Sequence, residues 1–263
     1  MRHSLAVFLL LTLTACSNLP SDDNQSASAD ELYATAKGAL QDGSHENAIK
    51  AFEKLLSRYP YGRYAQQAQL EIAYAYYKQG EPAPALAALD RFAKQFPNSE
   101  RLDYVLYLKG LINFDENLNS FMSTLFGQDP SERDPTSLHA ASGAFSELVS
   151  RYPDSRYAGD ARLRQQYLQV TLAKHEIAVA SYYLRRGAHI AAINRAQSVL
   201  IDYPNTAQTR DALQIMIQGY AALGLNDLKL DTKRVLDLNI AKDGVSPSRT
   251  NFQESETPWW KFW

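Results

Sequence analysis

A chain of 263 residues with 27 Lys and Arg against 29 Asp and Glu carries a formal net charge of -2, without the basic excess of a nucleic-acid-binding surface. Its single cysteine excludes an internal disulfide and a cysteine metal pair, and no apolar run beyond the N-terminus approaches the ~20 residues of a membrane span. Few glycines, abundant Ala and Leu, and 16 tyrosines point to a helical chain with an aromatic inventory to explain.

Residues 1–15 read as a signal peptide: a short basic start at Met1-Arg2-His3, an apolar stretch from Leu5 to Leu13, and small residues before Cys16. Leu13-Thr14-Ala15-Cys16 resembles the bacterial lipobox, in which the chain is cut just before the cysteine and the thiol is acylated. The competing reading is an ordinary signal peptide with an incidental cysteine. The resemblance implies a covalent lipid on Cys16, and no other cofactor is expected. Each buried methylene contributes about 0.8 kcal/mol to membrane binding, so several acyl chains hold firmly. In Gram-negative lipoproteins an aspartate after the cysteine favours the inner membrane. Ser17 therefore implies the inner leaflet of the outer membrane, facing the periplasm. Residues 16–30 are too poor in large apolar residues to pack, and read as a flexible tether.

From residue 31 the chain repeats itself. AFEKLLSRYPYGRYA at 51–65 and AFSELVSRYPDSRYA at 144–158 are near-copies, with weaker copies at 88–102 and 195–209. Pro60, Pro97, Pro153 and Pro204 each close one amphipathic helix and open the next, since proline is tolerated only in a first helical turn. Twelve residues before these prolines stand Ala48, Ala85, Ala141 and Ala192, and eight before stand Phe52, Leu89, Phe145 and Ala196. Ala73 and Gly110 follow Pro60 and Pro97 at thirteen residues. Small residues at a helix crossing, a large one nearby and an exit proline resemble the tetratricopeptide repeat. The expected fold is all-α, a tetratricopeptide-repeat solenoid of about five helix pairs. Uneven proline spacing places an insertion with Pro130 and Pro135 after the third first helix. It also lengthens the first helix of repeat four by about four turns. The expected organisation is an N-terminal half at 31–115, an insertion and C-terminal half at 116–240, and a tail at 241–263.

No catalytic motif stands out: there is no GxSxG, no phosphate-binding glycine loop and no HExxH, and the histidines lack ligand spacing. The expectation is a binding protein and not an enzyme. Concave positions of the first helices are assigned to Tyr33 and Lys37 in repeat one. In repeat two they are Gln67, Leu70, Tyr74, Tyr77 and Lys78, and in repeat three Tyr104, Tyr107, Leu111 and Phe114. An extended peptide with aromatic side chains and a free carboxylate suits such a groove, rings against rings and an ammonium against the terminal charge. The alternative is that several of these tyrosines, Tyr76 with them, only pack between repeats. In the second half Arg186 and Arg195 lie beside apolar helix faces, where a guanidinium fork suits a protein interface. Arg186 also fits a solvated helix end. The tail carries Trp259, Trp260, Phe262 and Trp263, for which docking on the repeats, capping of the last repeat and insertion at a membrane interface are all open.

The lipobox, five repeat units, the LFGQDPSERDP insertion and the YYLRRGAHIAAINRA stretch together resemble the BamD (ComL) family over nearly the whole mature chain. That resemblance implies a lipoprotein of the outer-membrane β-barrel assembly machine. Its N-terminal repeats would receive the C-terminal targeting strand of unfolded barrel proteins. Its C-terminal repeats would dock the periplasmic domains of BamA, through Arg186, Asn194 and Arg195, with smaller Bam lipoproteins as further partners. The other reading is a different periplasmic repeat lipoprotein, such as a secretin pilotin or a peptidoglycan synthase activator.

Overall fold

The computed structural model describes residues 27–118 and 134–245. Cys16 with the signal peptide, most of the tether and insertion, and the Trp-rich tail lie outside the described residues. Those described form ten helices: α1 (Ala29–Gln41), α2 (His45–Arg58), α3 (Arg63–Gln79), α4 (Pro82–Gln95), α5 (Leu102–Leu118), α6 (Thr136–Arg151), α7 (Ala158–Arg185), α8 (His189–Asp202), α9 (Gln208–Ala222) and α10 (Asn226–Val245). They make five consecutive helix pairs, as the proline register requires. The boundary between two compact units, Met1–Ala88 and Leu89–Trp263, falls inside α4.

The first helix starts within the stretch assigned to the tether. Ser28 caps it: the side chain accepts from the Glu31 backbone N–H while the Glu31 carboxylate accepts from the Ser28 backbone N–H at 2.9 Å. Each repeat exit uses one device. The aromatic residue before proline leaves helical geometry but still donates its N–H to the carbonyl four residues back, as with Tyr59 to Leu55 and Tyr152 to Leu148, both 2.8 Å. Within a pair the turn is equally regular. Gly80 closes α3 at φ 75°, a left-handed conformation that a Cβ disfavours, and the same turn recurs at Gly43, Gly187 and Gly224. Pro82 and Pro84 stand in the first turn of α4, where the missing N–H costs nothing.

Packing follows the repeat pattern. In the first unit α1 lies against α2, α2 against α3, and α1 against α3. In the second unit neighbours from α5 to α10 pack in turn, and α7 also meets α9. The alanines at the crossing position, Ala48, Ala85, Ala141 and Ala192, are fully buried, as are Phe52, Leu89, Phe145 and Ala196. Gly110 admits the ring of Phe145 so closely that an added Cβ would lie 2.6 Å from ring carbons. The long helix α7 has 28 residues against 17 for α3 and α5, about three turns more where four were expected. Part of the longer proline interval goes into the turn after Pro153, where α7 starts at Ala158, whereas α3 starts three residues after Pro60.

Candidate functional site

The residues assigned to the groove divide between the two units. In the first, α1 and α3 bring Tyr33, Lys37 and Gln67 onto one oxygen of Glu71. Lys37 Nζ donates at 2.7 Å, Gln67 Nε2 at 2.9 Å and the Tyr33 hydroxyl at 3.3 Å. Glu71 is 8% exposed, so its charge is desolvated and these donors hold it. Sequence reasoning missed it, although Gln67, Glu71, Tyr74 and Lys78 follow i, i+4, i+7, i+11 spacing along one face. The consequence is chemical: Lys37 is committed to Glu71 and is not a vacant cation for an incoming carboxylate. Lys78, the other lysine of the predicted pair, is exposed in the last turn of α3.

The rings of this unit fall into two groups. Tyr33 lies 5.7 Å from Phe52 and 5.4 Å from Tyr64, whose ring carries the Arg63 guanidinium at 4.8 Å. Tyr74 and Tyr77, both half-buried, lie 6.3 Å apart. Tyr76 packs against the core of the unit, as the packing alternative has it. Leu70, assigned to the concave face, is core instead at 1% exposure.

In the second unit Tyr107 stacks on Tyr157 at 4.6 Å, with Tyr104 tilted 5.6 Å from the same ring. The Tyr107 hydroxyl donates to Asp160 at 2.8 Å, and Arg164 Nε donates to the same carboxylate oxygen at 2.6 Å. Burial, then the adjacent Asp160 charge, push the Tyr107 phenol well above its ordinary range. Phe114 does not belong to a binding face. It is 1% exposed, 5.7 Å from Tyr167 and 6.5 Å from Phe145, with the Arg164 guanidinium 5.0 Å from its ring centre. The long α7 supplies both Arg164 and Tyr167, and so covers the position.

The residues assigned to a partner surface lie together on α7 and α8. Arg186 caps the end of α7 and is exposed, and Asn194 is exposed on α8. Arg195 is about half exposed and reaches back to Glu176 of α7, with Nη1 3.2 and 3.3 Å from the two carboxylate oxygens. Glu176, 9% exposed, is the other buried carboxylate that the sequence reading did not single out. Exposed Tyr182 and Ile190 lie close by in sequence, at the end of α7 and the start of α8.

Beneath this pair the Tyr203 phenol is pushed up to about 12, by burial first and then by the charges of Glu176 and Asp202. The sign follows directly. An unfolded tyrosine ionises at about 10, so stability fully present below that pH is lost as the pH rises toward about 12. Urea midpoints followed by circular dichroism at pH 8 and 11 should fall further in wild type than in Tyr203→Phe. A difference on the order of 1–2 kcal/mol is expected, and equal losses would mean that the phenol ionises freely in the fold.

Among the described residues no helix is long and apolar enough to cross a membrane. The profile of a family described as outer membrane lipoprotein (YfiO) matches residues 25–235. The outer membrane protein assembly factor BamD of Neisseria meningitidis serogroup A is 43% identical over 265 residues, covering 98% of both chains. The BamD of Vibrio cholerae is 43% identical over 238 residues, 90% of this chain and 98% of its own. That of Haemophilus influenzae is 34% identical over 255 residues, 97% of each. Among solved structures the MamA crystal structure matches at 18% identity and a TM-score of 0.33, over 84% of this chain and 96% of its own, too distant to bear on the fold. With paired helices in tetratricopeptide register and relatives matched from end to end, the chain belongs to the YfiO family of outer membrane lipoproteins, the family of the BamD assembly factors.

Proposed function

We propose that this chain is a non-catalytic, lipid-anchored subunit of an outer-membrane protein assembly complex, held by acylated Cys16 at the inner leaflet and working in the periplasm. The end-to-end similarity to BamD proteins supports this reading, because it covers 98% of both chains. The tyrosine face of the first unit, with Tyr74, Tyr77 and Lys78, receives the aromatic-ended targeting strand of an unfolded β-barrel chain. Tyr33 and Lys37 hold Glu71 and shape that face from behind. Tyr104 and Tyr107 offer a second stacking surface in the other unit. Arg186, Asn194 and Arg195 meet the periplasmic domains of a BamA-type barrel subunit, and smaller lipoproteins join the same complex. The work is capture and hand-over, and barrel folding itself supplies the free energy.

The test is co-purification from detergent-solubilised envelopes. Reversing the charge of Arg195 would set two carboxylates together at Glu176, so Arg195→Ala and Glu176→Gln are compared instead. Recovery of a large β-barrel protein with periplasmic domains by wild type and Glu176→Gln, cut about thirtyfold in Arg195→Ala, is the expected result; truncating one partner of an interfacial charge pair typically costs 2–5 kcal/mol, and about thirtyfold is the low end of that range. Equal losses in both variants would reduce Arg195 to an internal brace. Recovery of secretin subunits or a cell-wall synthase in place of the barrel protein would overturn the assembly reading.

A further inference from the structure

Seven of the thirteen large apolar side chains that stand exposed among the described residues lie between Leu223 and Ile240, at the end of the last repeat. Leu228, Val235 and Leu238 are 46, 45 and 58% exposed and recur at i, i+7 and i+10, along one side of α10. They border the buried stripe of Thr232 and Leu236, by which α10 packs on α9. In a repeat array each helix pair covers its predecessor, and the last one needs a cap. Here α10 leaves Leu228, Val235 and Leu238 exposed beside the charged Asp227, Asp231 and Arg234.

The chain continues from residue 246 to 263 and ends in Trp259-Trp260-Lys261-Phe262-Trp263. An extended chain from Val245 to Trp259 reaches up to about 46–50 Å, whereas α10 is about 30 Å long. The terminal aromatics can therefore reach any point on the helix that precedes them. Being on the same chain, they meet it at an effective concentration on the order of millimolar, ahead of any dilute competitor. Charge agrees as well. Asp227 lies on the i, i+11 line that leads to Leu238, while Asp231 on the same line is bridged to Arg234; the aromatic cluster carries one cation, Lys261, and no anionic side chain.

We infer that Trp259–Trp263 packs back on the outer side of α10, over Leu228, Val235 and Leu238, and caps the repeat array from within the chain. The indole rings cover the aliphatic stripe, and Lys261 faces Asp227. This cap is independent of which partners the rest of the chain engages.

All three tryptophans of the chain lie in this segment, so intrinsic tryptophan fluorescence reports on it alone. In the full chain the emission is expected to be blue-shifted and shielded from acrylamide. The double substitution Val235→Asp with Leu238→Asp should move it to the red and raise the quenching constant severalfold, with far-UV circular dichroism unchanged because both positions are exposed. Identical emission and quenching in the two proteins would overturn the inference, whether the segment is solvated or held by lipid or detergent. A second readout does not depend on those variants folding: Leu238→Cys with Trp260→Cys in the full chain, oxidised in cell envelopes. An intramolecular disulfide supports the cap, and a disulfide-linked dimer, or two thiols that remain open to maleimide, overturns it.

Discussion

Phe145→Ala should lower the unfolding free energy by about 3–5 kcal/mol, the usual range for emptying a fully buried aromatic site. The ring is completely enclosed, with Gly110, Tyr107 and Phe114 of α5 against it. What makes the experiment specific is its companion. Gly110→Ala in wild type drives a methyl group into that ring and should cost about 1–3 kcal/mol, only partly offset by the roughly 1 kcal/mol that alanine gains over glycine in a helix. In the Phe145→Ala background the same methyl enters the vacated space, and its effect should turn stabilising. Urea denaturation of the four proteins closes the cycle. Simple additivity would show that the two helices do not cross where the structure places them.

Asp160→Ala is the second large effect. Arg164 has a side chain 10% exposed, which is ion-paired with the Asp160 carboxylate and lies over the face of Phe114. Removing the carboxylate leaves a buried guanidinium short of its counter-charge and takes the acceptor from Tyr107. Breaking a buried pair in this way typically costs 3–5 kcal/mol, and the 28% exposure of Asp160 places the expectation near about 3. Asp160→Asn keeps an acceptor for the phenol and should fall between. The double substitution Asp160→Ala with Arg164→Met removes both charges and should recover much of the loss, because an apolar replacement of a buried pair is often neutral. Thermal unfolding resolves these differences, and a single variant as stable as wild type would mean that water already screens the pair.

Positions that depend on local geometry were legible in the sequence, and positions that depend on pairing between distant segments were not. A proline exit and a small residue at a helix crossing are demands of one helix hairpin, which is why Ala48, Ala85, Ala141, Ala192 and Gly110 stand where the register puts them. Phe114 failed for a different reason. Its place in the repeat count is concave, but the unusually long α7 lays Tyr167 and Arg164 over it, from fifty residues or more away. Lys37 was read as a vacant cation because its partner, Glu71, lies one repeat further on in the equivalent helix. Helical spacing along α3 alone would have raised the question of what neutralises that carboxylate. Arg195 and Glu176 tell the same story in the second unit, where a side chain chosen as an outward contact also braces its own fold.

The capping box at Ser28 has a further consequence for where the protein can act. It ends the stretch that precedes the first helix, so eleven residues at most, or twelve Cα–Cα steps, separate Cys16 from Ser28. Fully extended, they set a ceiling of about 40–43 Å on the height of the first repeat above the bilayer. With Cys16 acylated as proposed, the first helix pair would be restricted to a layer beside the membrane, and lengthening residues 17–26 should raise that layer without altering the contact of Tyr59 with Ala27.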